Sequence, residues 1–202
     1  MRETRITGYA VSMPRWEPNG RERLVRAALD LFTEQGYDST TVAQIADRAG
    51  LNPSTFFRHF PDKREVLFAG QDTLAQLFAD GITAAPASAP PLQAVAAALD
   101  AVAIAFPPGR RDLGPQRRAV IAANAELQER DALKRAGFAA AMAKALLARG
   151  VPDPAAALAA EVGVLAFRRA YARWADPASR QPFSELAHQA LQELQAASTA
   201  LT

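Results

Sequence analysis

From residue 21 onward, apolar positions recur at helical spacing almost without interruption. Leu24, Ala27, Ala28, Leu31 and Phe32 stand at i, i+3, i+4, i+7 and i+8. That is the stripe of an amphipathic helix, and Gly36 supplies a left-handed stop for it. A polar link to Thr40 leads to Thr41, a good N-cap for a second helix carrying Val42, Ile45, Ala46 and Ala49. Gly50 ends that helix, Leu51 and Asn52 make a tight turn, and Pro53 suits the first position of a third, short helix closing before Pro61. Asp62 is then read as the cap of a longer fourth helix from Lys63 to about Asp80, with Val66, Gly70, Leu74, Leu77 and Phe78 on one face.

A small-residue, Pro-containing stretch over 81–91 marks a loop. Beyond it the pattern predicts helices over 92–106, 114–125, 126–149, 154–175 and 182–197. The breaks are Pro107, Pro108 and Gly109, then Gly150 to Pro152, then Asp176 and Pro177; near Asn124 no Pro or Gly marks the boundary. No segment sustains strand-like alternation and no repeat is present. The expected fold is all-α with about nine helices: a small N-terminal helix-turn-helix head and a larger helical body.

Composition changes this picture only in places. Of 202 residues, 47 are alanine, which tips ambiguous segments toward helix. The absence of cysteine excludes disulfides and thiolate chemistry, and two histidines leave little for a metal site. Arginine outnumbers lysine 20 to 3, a bias that a GC-rich gene explains without phosphate binding. The net charge is only +2, and residues 1–80 carry 10 basic against 11 acidic groups, so charge alone is a weak argument for nucleic acid. The first twenty residues are polar, broken by Pro14 and Pro18, and lack the apolar core of a secretion signal. The longest apolar run, 92–106, contains Asp100 and is too short to span a bilayer. A cytoplasmic protein without membrane contact, cofactor or metal is expected.

The stretch from Arg21 to Leu67 resembles the DNA-binding head of tetracycline-repressor-like (TetR) bacterial transcription regulators. The residues that carry the likeness are Ala27, Ala28, Leu31 and Phe32; Gly36 and Tyr37; Thr40, Thr41 and Val42; Ile45 and Ala46; Ala49, Gly50 and Leu51; Thr55 and Phe56; and His59, Phe60, Asp62 and Lys63. The resemblance implies a flexible arm over 1–20, a DNA-binding domain over 21–67 with its motif at about 41–60, and an effector-binding and dimerisation body over 68–202. It implies a DNA-binding regulator, most simply a repressor released from double-stranded operator DNA by a small apolar or acyl-type effector.

On the residues themselves, Leu51, Phe56 and Phe60 can anchor the third helix, leaving Asn52, Ser54, Thr55, Phe57, Arg58 and His59 on or near its outer side. Such a face suits a major groove, where Arg pairs with guanine and methyl groups meet thymine. The DNA-binding set expected is Thr41, Asn52, Pro53, Ser54, Thr55, Phe57, Arg58, His59 and Lys63. Carried over from the family, Thr41 and Lys63 donate to phosphates. Phe57 stands where a tyrosine is common and Ala43 where an arginine is, which leaves Arg58 as the foremost base-reading candidate. His59 is expected chiefly to cap or pack. Arg2, Arg5 and Arg15 form a mixed-charge arm with Glu3 and Glu17.

One head covers one half-site, so a homodimer is expected. Two stripes are candidate interfaces: Phe183, Leu186, Ala187, Ala190, Leu191 and Leu194, and Ala159, Val162, Gly163, Ala166 and Ala170. Either stripe can instead face its own core. The expected effector pocket is lined by Phe78, Phe106, Phe138, Met142, Phe167, Tyr171 and Trp174, with Phe68 and Leu74 beside them. The C-terminal half is more loosely similar to actinobacterial regulators of acyl-CoA-like ligands, which makes Arg110, Arg111, Arg117 and Arg118 candidates for a CoA phosphate. Two rivals stay open: a DNA-binding dimer without ligand response, and a helical enzyme. Against the enzyme, no HExxH, P-loop or GxSxG is present, and His188 with Glu185 one turn before it reads as a solvated face.

Overall fold

The computed structural model describes residues 19–200, without the side chain of Arg110. The arm with Arg2, Arg5 and Arg15 lies outside the described residues. Within them the chain forms nine α-helices: α1 (Gly20–Gln35), α2 (Val42–Arg48), α3 (Pro53–His59), α4 (Gln71–Ala84), α5 (Pro91–Ala103), α6 (Leu113–Ala122), α7 (Ala125–Ala148), α8 (Asp153–Trp174) and α9 (Phe183–Thr199). No strand occurs among the described residues, and no helix there is long and apolar enough to cross a membrane.

Two buried clusters hold the molecule together. The head core joins Leu24, Ala28, Leu31 and Phe32 of α1 to Ile45 of α2 and Phe56 of α3, and it also takes in Val120 of α6 and Leu127 of α7. The head therefore rests on the body through apolar packing. The body core is built from α4, α5, α7, α8 and α9. Small residues set its close crossings: a Cβ at Gly81 would come 2.6 Å from Ala98 Cα, and one at Gly163 would come 2.8 Å from Val95 Cγ1.

The fourth helix differs from its expected extent. Residues Arg64–Val66 form a 3-10 turn, whose Glu65 N–H is capped by the Asp62 carboxylate at 3.1 Å. Helix α4 starts only at Gln71, because Gly70 takes a left-handed φ of 88° that breaks helical continuity. Lys63 thus precedes a tight turn belonging to the head and does not lead a long helix into the body. Phe68 is also corrected: it is buried in the head core, not in the body. The unmarked boundary near Asn124 is a side-chain cap, Asn124 Oδ1 accepting from Leu127 N at 3.2 Å.

The expected interface stripes face inward. Phe183, Leu186, Ala187, Ala190 and Leu191, and likewise Ala159, Gly163, Ala166 and Ala170, are buried in the body of their own chain. They pack there because α8 and α9 lie against α5 and each other, and an apolar stripe does not by itself specify which surface covers it. His188 is exposed, yet it meets Asp100 of α5 at 2.8 Å rather than solvent alone.

Candidate nucleic-acid interface

Phe56 and Phe60, fully buried and 5.4 Å apart between ring centroids, pin the inner side of α3. Period 3.6 then decides what faces out. Asn52, Pro53, Ser54, Phe57 and Arg58 are exposed, while Thr55 and His59 are half-buried at the edges. Phe57 leaves 57% of its surface in solvent, its ring meeting Phe56 edge-on at 5.6 Å.

Both helices of the motif start from side-chain caps. Thr41 and Gln44 form a reciprocal capping box: Gln44 N donates to Thr41 Oγ1 at 3.2 Å, and Thr41 N donates to Gln44 Oε1 at 2.8 Å. Asn52 caps α3, its Oδ1 accepting from Thr55 N at 2.9 Å, from Ser54 Oγ at 2.6 Å and from Thr55 Oγ1 at 3.0 Å. Asn52 is therefore first a cap, with only its amide N–H groups left to meet anything outside.

Lys63 turns its ammonium inward. It donates to the carbonyls of Tyr37 at 2.7 Å and Thr40 at 2.9 Å, and lies 4.1 Å over the Tyr37 ring. The contact staples the link between α1 and α2, and it holds one end of the exposed Thr41 cap. Burial, and then the Glu126 carboxylate, push the Tyr37 hydroxyl up to about 12. Gln35 buttresses the same corner, donating to Thr40 Oγ1 at 3.2 Å and to Gln44 Oε1 at 3.3 Å.

The far end of α3 is basic. Arg58 is exposed, and neither an acid nor an ion-pair partner for it is present among the described residues of α3. Burial, then the neighbouring Arg58 and Arg21, hold His59 below its ordinary value. Arg21, which sequence reasoning did not single out, is exposed at the start of α1 and lies 5.5 Å over the Phe60 ring. No spacing rule connects residue 21 to residue 58; only the packing of α1 across α3 brings them to one edge. Arg48, by contrast, is consumed by a two-pronged pair with Glu34 at 3.0 and 2.8 Å.

Residues 24–69 match the family described as bacterial regulatory proteins, tetR family. This is a TetR-type helix-turn-helix head. Among curated proteins, the chain is 44% identical over 82 residues to the transcriptional regulator TcmR of Streptomyces glaucescens, covering 41% of this chain and 36% of that one. It is 38% identical over 58 residues to HbdR of an Aromatoleum strain, covering 29% and 25%. The matches thus span only about a quarter to a third of these relatives' own lengths. The likeness of fold extends further than the sequence match. A transcriptional regulator from Aquifex aeolicus superposes with a TM-score of 0.53 at 18% identity, covering 88% of this chain and 98% of that one. FadR from Bacillus subtilis, solved with stearoyl-CoA, superposes with a TM-score of 0.57 at 17% identity, covering 86% and 96%.

In the body, the expected pocket residues are brought together. Phe78 lies 5.5 Å from Phe138 and 5.4 Å from Phe167, and Phe106 lies 5.8 Å from Tyr171 and 5.4 Å from Trp174. They touch one another as a packed aromatic core, with Met142 fully buried behind them. The arginine group is scattered. Arg111 donates to the Ser179 and Gln181 carbonyls, Arg117 lies over Phe68 of the head core, and Arg118 donates to the Ala172 carbonyl at 3.2 Å. The side chain of Arg110 lies outside what the structure describes.

Proposed function

We propose that the chain is a dimeric DNA-binding transcriptional regulator, a repressor that leaves its operator when a small apolar or acyl-type effector binds the body. The observation that carries this reading is the outer face of α3: an exposed Phe57, and an Arg58 without an ion-pair partner among the described residues, held on a helix whose inner face is locked by Phe56 and Phe60. A helix so fixed presents side chains to base edges without first having to be ordered, and Arg58 is suited to a guanine. Thr41, Asn52, Pro53, Ser54, Thr55, His59 and Lys63 complete the proposed contact set, the last by holding Thr41's corner. Arg21 joins them as a phosphate contact at the α3 end.

Dimerisation is proposed through the outward faces of α8 and α9. Leu158 and Leu165, seven residues apart on α8, are 67% and 38% exposed, two apolar side chains on the outward side of the helix. FadR of Bacillus subtilis was solved with stearoyl-CoA, and this supports an acyl-type effector for a chain of the same fold.

Coupling between body and head is proposed through α6 and α7. Arg130 and Lys134 of α7 reach Glu65 at 2.6 and 3.3 Å, Arg64 reaches Glu126 at 2.8 Å, and Arg26 of α1 reaches Asp112 at 3.0 Å. A ligand that favours one arrangement of these helices biases the separation of the two heads, and effector and operator then oppose each other by linkage.

The test begins with genome-wide mapping of bound sites, followed by retardation of the recovered duplex in gels. Arg58→Ala is expected to flatten discrimination among operator variants by about 1–3 kcal/mol at one base position. A monomeric chain with no preference for any duplex over random competitor overturns the reading.

A further inference from the structure

We propose that the cleft between the end of α5, the end of α8 and the start of α9 binds a small amphiphile: an apolar body carrying a carboxylate. As the place of the effector this rests on the regulator reading; as a binding site it stands without it. The cleft has a volume of about 500 Å³, within the roughly 300–1,000 Å³ typical of small-molecule sites. Its floor is aromatic. Phe106 stacks on Phe183 at 4.2 Å with planes 17° apart, and meets Trp174 edge-on at 5.4 Å. Ile104 stands at the rim with 79% of its surface exposed, and Arg111 and Arg180 complete the wall.

Two donors on this wall lack acceptors. The indole N–H of Trp174 is buried, the residue being 2% exposed, and no acceptor for it exists among the described residues. The same holds for Nε–H of Arg111, whose guanidinium lies 5.5 Å over the Trp174 ring. Each of its other two nitrogens gives one N–H to a loop carbonyl, of Ser179 and of Gln181, and keeps a second. Buried polar groups are nearly always paired, so two orphaned N–H groups on adjoining side chains of one cleft call for an oxygen from outside the chain. Charge decides which oxygen. Neither Arg111 nor Arg180 has a carboxylate partner among the described residues; Arg180 donates only to the Pro177 and Ser179 carbonyls. The Trp174 N–H beside the uncompensated Arg111 and Arg180 fits a carboxylate, while the aromatic floor and prolines fit an alkyl or aryl body.

The position matters for the head as well. Arg111 is followed by Asp112, which pairs with Arg26 of α1 at 3.0 Å, so the wall of the cleft is one residue away from a head contact.

The experiment is titration calorimetry of the full chain with decanoate and with decanol, without DNA, so that failure of DNA binding and failure of this site are separate results. Decanoate is expected to bind saturably and decanol about tenfold more weakly or worse, the difference made by a charged hydrogen bond. Trp174→Phe, which keeps an aromatic floor but removes the N–H, should weaken decanoate about tenfold. Arg180→Gln, on an exposed loop, should weaken it severalfold without touching the core. A packing defect cannot mimic the third readout: in the unsubstituted chain, the Trp174 indole N–H resonance, assigned with Trp16→Phe, moves downfield on decanoate addition. Equal affinity for decanol, an unmoved indole resonance, or decanoate affinity unaltered in both variants overturns the proposal.

Discussion

Phe56 and Phe57 are neighbours of identical chemistry with opposite surroundings. Phe56 is fully buried beneath α3, and Phe57 is 57% exposed. Truncating Phe56 to Ala removes packing that nothing else fills, an expected loss of about 3–5 kcal/mol. Phe57→Ala should leave stability within about 0.5 kcal/mol, as surface substitutions do. Denaturant midpoints of the two variants read the difference, and only Phe57→Ala leaves a folded head whose DNA affinity can then be compared. Tyr37 makes a pH-dependent prediction. Its hydroxyl is pushed from 10 up to about 12, so the folded head holds a proton that the unfolded chain has released. Stability is complete below pH 10 and falls as pH rises through 12. Thermal melts across pH 9–12 should show that decline in the unsubstituted chain and a flatter one in Tyr37→Phe.

At the scale of elements, caps and close crossings decide where helices begin and how near they come. The Gly81 site lets α4 lie on α5 with backbone contact, since even a methyl would come 2.6 Å from Ala98 Cα. Gly81→Ala gains helix propensity yet forces the two helices apart, so a net destabilisation of about 1–3 kcal/mol is expected from urea unfolding. Capping was partly legible in the chain. Thr41 before an apolar stripe announces an N-cap, and its partner Gln44 completes the box three residues on. Asn52 was legible as a turn residue, but its service as the α3 cap appears only when its Oδ1 is seen to accept three donors. The start of α4 was misjudged because an apolar face continues through Val66 and Leu74, while the left-handed turn at Gly70 breaks the helix that face suggests.

In the whole molecule, burial assigns every apolar stripe a partner, and what is left over is the surface available to others. The inner stripes of α8 and α9 are consumed by the body, so the proposed dimer must use the remainder. Replacing Leu158 and Leu165 together with Glu should leave the fold intact, because both side chains are already exposed. It should convert the dimer to a monomer in sedimentation velocity, with loss of operator binding. A dimer that persists assigns the interface to another face. The head–body contacts around Glu65 and Asp112 belong to this scale too, because they join residues 62 to 86 positions apart in the chain.

Local periodicity and stop residues determined the helices other than the start of α4, the inner and outer sides of α3, and the likeness to a tetR-type head, because each depends on neighbours within a few turns. Tertiary structure alone decided which stripe meets which helix, that Arg21 shares an edge with Arg58, that Lys63 turns inward to the Tyr37 and Thr40 carbonyls, and that Trp174 and Arg111 bury donors beside one cleft. The physical reason is that a helical pattern states how much apolar surface must be covered but not by what; the choice of partner is a property of the packed chain, where steric fit and unpaired polar groups are settled together.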